Sequence, residues 1–112
     1  MDNYLEAERG GIYTFNNGKE DRECVVVSSG RRHKDNIISV LFLTTDRGNI
    51  SDDVVRFDFV NSEDDVWRAC VRTDLVTYTR RMYLKKKLAQ TPEIVMKKID
   101  KGIMRSLGLW EE

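Results

Sequence analysis

Thr91-Pro92-Glu93-Ile94-Val95-Met96-Lys97-Lys98-Ile99-Asp100-Lys101-Gly102-Ile103-Met104-Arg105-Ser106-Leu107-Gly108 decides the architecture. Met96, Ile99, Ile103 and Leu107 recur at helical spacing and give the stretch one apolar face. Thr91 suits the helix N-cap, and Pro92 suits the first helical position, where its missing N–H costs nothing. Glu93 falls at the positive end of the helix dipole, and Gly108 is a C-terminal stop. The pattern predicts a helix over 92–107. Gly102 inside it costs about 1 kcal/mol against Ala, which marks a place for close packing.

Upstream of that helix the chain reads as strands. Gly11-Ile12-Tyr13-Thr14-Phe15 is a short strand, stopped by the turn signal Asn16-Asn17-Gly18. Cys24-Val25-Val26-Val27-Ser28 is apolar on both faces, the mark of a central strand, and Ile37 to Thr45 is a second such run. Val55, Phe57 and Phe59 alternate with Arg56 and Asp58, as in a half-exposed strand. Val66 to Thr77 holds one bent strand or two, and Lys85-Lys86-Lys87-Leu88 is a short final strand. Five to seven strands and one terminal helix predict an α+β fold: a curled antiparallel sheet or small β-barrel closed by the helix.

A length of 112 residues fits one domain, 1–112, without linker or repeat. The run Val40-Leu41-Phe42-Leu43 is far short of the roughly 20 residues a membrane helix needs. The start, MDNYLEAERGG, is acidic and lacks the apolar core of a secretory signal, so a cytoplasmic location is expected, with no membrane partner. Cys24 and Cys70 sit in strand-like runs and read as reduced, buried thiols. With no CxxC pair and His33 as the one histidine, no metal site and no cofactor are expected. Nor do the glycines form a phosphate-cradling loop.

Net charge is zero, but its distribution is uneven. Asp52, Asp53, Asp58, Glu63, Asp64 and Asp65 against Arg56 leave residues 51–65 at −5. Residues 80–105 stand at +7, from nine lysines and arginines against Glu93 and Asp100. A charge run is commonly a solvated face, yet a basic region can also hold a polyanion.

The order of short motifs resembles the MazF/PemK family of toxin endoribonucleases from toxin–antitoxin pairs. Arg9-Gly10-Gly11-Ile12-Tyr13 is similar to the family's opening, and Arg22 enters an apolar strand as the family's loop arginine does. Leu43-Thr44-Thr45-Asp46-Arg47-Gly48-Asn49 is similar to the strand end with threonine, and Arg72-Thr73-Asp74 to the Arg-x-Asp triplet of the PemK-like branch. Ser106-Leu107-Gly108-Leu109 matches the closing of the family's helix, so the likeness spans about residues 9–109. Two departures stand out: Glu23 replaces the usual proline, and the loop Gly18-Lys19-Glu20-Asp21-Arg22 is short and has no histidine. The resemblance implies an SH3-like barrel of the CcdB/MazF type, a homodimer, and a cognate antitoxin whose C-terminal segment covers an RNA groove. DNA is implied only through the antitoxin complex.

Metal-free RNA cleavage turns the ribose 2′-OH on the adjacent phosphate. It needs a base for one proton, a proton for the 5′-oxygen, and charge stabilisation at the phosphorane. Arg22, Thr45, Arg72 and Asp74 supply these types and are the expected catalytic residues, with Arg72 and Asp74 on one strand face. Lys19, Glu20, Arg31, Arg32 and Arg47 are the expected RNA contacts, Glu20 with an alternative role in place of the missing loop histidine. Trp67 and Trp110 read as packing residues or as anchors for a partner peptide. The function expected is a metal-independent, sequence-selective endoribonuclease acting on single-stranded RNA. The rivals are a barrel that binds RNA without cutting it and one that binds a protein, as the related CcdB toxins bind DNA gyrase.

Overall fold

The computed structural model describes residues 7–28, 36–44, 53–61 and 63–109. Among the described residues seven strands precede one helix: β1 (Gly11–Asn16), β2 (Asp21–Val26), β3 (Ile37–Phe42), β4 (Val54–Val60), β5 (Val66–Arg72), β6 (Thr77–Arg80), β7 (Leu84–Gln90) and α1 (Glu93–Ser106). A 3-10 turn, Arg81–Tyr83, joins β6 to β7. All pairings are antiparallel, in a five-stranded sheet of order β6-β3-β2-β1-β7 and a two-stranded sheet of β4 and β5.

β2 holds the centre because Cys24, Val25 and Val26 are apolar toward both faces, and all three are buried. Alternation then sorts two cores. Ile12, Val25 and Leu41 point to one face, where Val55, Phe57, Phe59, Ala69 and Val71 of β4–β5 meet Met96 and Ile99 of α1. Tyr13, Phe15, Cys24, Val26, Ile38, Val40 and Leu84 form a second core on the opposite face. Full burial of Ile99 alone contributes about 1.5–3 kcal/mol.

The small sheet is stitched to the large one, and the two do not close into a barrel. Ile37–Val40 of β3 pair with β6, and three residues further on Leu43 bridges to Val71 of β5. β5 and β6 therefore run along the same edge of β3, and the segment between them loops out. Val66 to Thr77 is thus two strands broken by a turn, with the Leu75 N–H on the Arg72 carbonyl at 3.2 Å.

The helix starts one residue later than its sequence suggests. The Thr91 N–H donates to the Gly10 carbonyl at 2.8 Å, which prolongs the β1–β7 pairing and keeps Thr91 extended. Pro92 takes the capping position, and the Thr91 hydroxyl, buried, finds no partner among the described residues. At the other end Leu109 N–H reaches Met104 O and Gly108 N–H reaches Arg105 O, with Gly108 at φ 75°, a Schellman stop. Leu107, expected on the buried face, is the C-cap and is exposed.

Candidate active site

Three of the expected residues come from separate elements. Arg22 lies on β2 and Arg72 ends β5, while Asp74 sits in the turn that loops out from the edge of β3. A hollow of about 110 Å³ is lined by Arg22, Phe42, Thr44, Arg72, Leu75 and Thr77. The sheet thus brings Arg22 and Arg72 to one place, although 50 positions separate them in sequence. Extra residues in a strand commonly re-aim side chains at a site, and this excursion does so here.

Asp74 meets Arg72 through the turn and not through strand alternation, since β5 stops at Arg72. Arg72 Nε donates to Asp74 Oδ1 at 3.1 Å and Nη2 to Oδ2 at 2.7 Å, a two-pronged pair. The hydrogen bond that Arg72 donates to Asp74, and then the charge of Asp74, raise the Arg72 pKa above its ordinary value. Arg72 is therefore a fixed cation, not a proton donor. The turn itself is held from below: Thr73 is fully buried, and its N–H and hydroxyl donate to the Asp53 carbonyl at 2.7 and 3.2 Å.

Arg22 is half-buried. Its Nη2 donates to the Leu43 carbonyl at 3.4 Å, and its guanidinium lies over the ring of Phe42. Cys24, two residues on, has its thiol pushed up to about 12 by burial, against the opposing pull of Arg22, and stays protonated. Both cysteines are buried and free.

Thr44, which the sequence reading did not single out, lines the hollow. Its N–H donates to the Cys70 carbonyl at 2.8 Å, which seats it at the rim of the hollow. The antiparallel bridge of Leu43 to Val71 sets Thr44 opposite Cys70 and Phe42 toward Arg72, and all three of Phe42, Thr44 and Arg72 line the hollow. Thr45, the threonine expected there, lies outside the described residues, as do Arg31, Arg32, His33, Arg47 and Trp110.

Lys19 and Glu20 are exposed at the tip of the β1–β2 hairpin and do not line the hollow. The tip is compact: the Asn17 side chain accepts from the N–H groups of Lys19 and Glu20, and Gly18 adopts φ 90°. Trp67 packs against Phe59 with ring centroids 5.9 Å apart. Among the described residues no group of three His, Cys, Asp or Glu side chains could hold a metal ion. No described helix is long and apolar enough to cross a membrane.

Residues 8–107 match the family model of the PemK-like, MazF-like toxin of type II toxin–antitoxin systems. No curated protein matches the chain significantly. Among solved structures, an endoribonuclease in complex with its cognate antitoxin, from a mycobacterial species, superimposes with a TM-score of 0.77 at 22% identity. That match covers 94% of this chain and 98% of the other. The MazE–MazF structure from Deinococcus radiodurans gives a TM-score of 0.76 at 14% identity, over 97% of this chain and 100% of that one. At such identities the likeness establishes the fold.

Proposed function

This chain belongs to the PemK-like, MazF-like toxin family of type II toxin–antitoxin systems, and from that premise we propose that it is a metal-independent, sequence-selective endoribonuclease for single-stranded RNA. The observation that carries the proposal is the hollow in which Arg22, Thr44 and Arg72 converge, with Asp74 paired to Arg72 at its rim. A scissile phosphate there meets two guanidinium groups and a hydroxyl. As phosphate draws Arg72 to itself, Asp74 is released to take the 2′-OH proton. The 2′-oxygen then bonds to phosphorus, the P–O5′ bond breaks, and the 5′-oxygen takes a proton from water. The products are a 2′,3′-cyclic phosphate and a 5′-OH. Arg22 and Arg72 hold the charge that builds on the phosphorane.

We assign the protein a homodimeric state and a cognate antitoxin partner on the same grounds. The family supports both, and the mycobacterial relative was solved with its antitoxin. Light scattering should give about twice the 13.1 kDa chain mass. A clean monomer that still cuts RNA would remove the dimer.

A second reading, RNA binding without cutting, is favoured by one observation: both Asp74 oxygens are already occupied by Arg72. Incubation with a long phage RNA, followed by gel analysis and 5′-end mapping, decides. Discrete cuts with 5′-OH ends, abolished by deoxyribose at the cut site and unaffected by chelator, support the nuclease. Retarded but intact RNA overturns it.

A further inference from the structure

We propose that Phe42 is the positioning residue for Arg22, an assignment that rests on reading the hollow as an RNA-cleaving site. The guanidinium carbon of Arg22 stands 4.2 Å above the centroid of the Phe42 ring. Other arginines of the chain are held differently: Arg9 by Asp100, Arg68 by Asp58 and Arg72 by Asp74. Among the described residues Arg22 has no carboxylate partner, only the Leu43 carbonyl and this ring.

The distinction matters for charge. A carboxylate neutralises an arginine and occupies its N–H fork. An aromatic face attracts the cation through its quadrupole and takes none of its N–H groups. Arg22 is thereby oriented while most of its hydrogen-bonding edge and its full charge stay available to a phosphate. The two arginines of the hollow then divide the work. Arg72 is balanced by Asp74 and gives it up on binding, whereas Arg22 is paired with no carboxylate among the described residues.

Phe42 is itself braced. The Phe15 ring meets it edge-on, with centroids 5.0 Å apart and planes at 77°, and Tyr83 meets Phe15 at 5.8 Å and 78°. Edge-to-face contacts of this kind are the favoured aromatic geometry. A column of three rings runs from the 3-10 turn through buried Phe15 to the underside of Arg22. An aliphatic side chain at 42 fills the space, offers no π face, and leaves the guanidinium free to swing.

The test compares the wild type with Phe42→Leu and Phe42→Tyr, each also combined with Arg22→Ala, on a mapped RNA site. Phe42→Leu should lower kcat about tenfold while KM moves less than about twofold, because orientation counts in the transition state. Phe42→Tyr keeps the ring and should stay within about threefold of the wild type. In the Arg22→Ala background Phe42→Leu should cost nothing further. Independently of cutting, the Arg22 Nε proton should be shifted upfield by the ring in NMR spectra of the wild type and Phe42→Tyr, and should revert in Phe42→Leu. Phe42→Leu cutting at the wild-type rate, Phe42→Tyr as impaired as Phe42→Leu, or an Arg22 signal indifferent to Phe42→Leu overturns the proposal. A wild type that cuts no RNA removes the nuclease reading, and the NMR comparison still decides whether Phe42 holds Arg22.

Discussion

Gly102 on α1 and Thr73 in the turn after β5 touch with no room for a methyl group between them. A Cβ at position 102 would stand 2.5 Å from Thr73 Oγ1 and 2.8 Å from Cγ2. The residue between Arg72 and Asp74 thus rests directly on the helix backbone. Gly102→Ala gains about 1 kcal/mol in helix propensity, yet overpacking costs typically 1–3 kcal/mol. We expect net destabilisation in urea melts and a loss of cleavage larger than the loss of RNA affinity. Adding Thr73→Ala should recover part of both.

Asp74→Asn keeps the shape and loses the base. The rate should fall by ~10²–10⁴-fold in single-turnover assays. RNA binding should survive or tighten, since a negative charge beside phosphate is gone. Full-rate cutting by Asp74→Asn would remove Asp74 as the base.

Arg22→Ala should cost ~10²–10³-fold in kcat, the scale for one donor at a developing oxyanion. Thr44→Val should lower kcat as well, and more than Thr45→Val does. The reverse order in parallel assays would return the hydroxyl role to Thr45.

The basic last third of the chain includes Lys85 and Lys86, both exposed on β7, and Lys87, paired with Glu8 at 2.8 Å. If these lysines meet RNA, affinity should fall with salt at a slope near −0.7 per phosphate contact. Changing all three to Ala should flatten that slope and leave sequence preference untouched. An unchanged slope makes the run a solvated face.

Alkaline stability follows from two buried acids. Burial raises the Cys24 thiol from 9.0 to about 12 and raises the Tyr13 phenol above 10.0. Both are neutral in the fold and ionise first in the unfolded chain. Their full contribution is therefore present below pH 9 and is lost as pH rises toward 12. Between pH 8 and 10 Cys24 alone should remove about 1 kcal/mol from the unfolding free energy. Chemical denaturation of wild type and Cys24→Ser at the two pH values measures the difference.

Much of the architecture was legible because periodicity is a local signal. The helix face of Met96 and Ile99, the two-sided apolar run at Cys24–Val26 and the alternation of Val55, Phe57 and Phe59 all report burial directly. Element ends were less legible. Thr91 looks like a cap and instead prolongs the pairing just past the end of β7, because the carbonyl of Gly10 claims its N–H. The meeting of Arg22 with Arg72 needed the family pattern, since no spacing rule links β2 to β5. The choice between Thr44 and Thr45 turns on where β3 lets go of β5, a three-residue slip that composition does not encode.

β1 lies between β2 and β7, so its second partner is made last among the strands. During synthesis the β1–β2 hairpin can form early, but Gly11–Phe15 must wait for residues 84–90 to complete the sheet. Thr73 waits longer still, until Gly102 has left the exit tunnel. Until then the turn of Arg72 and Asp74 has its hydrogen bonds from Thr73 to Asp53 but lacks the helix backbone beneath it. The hollow is therefore the last part of the fold to be secured, after every strand that carries its arginines and only once α1 is in place.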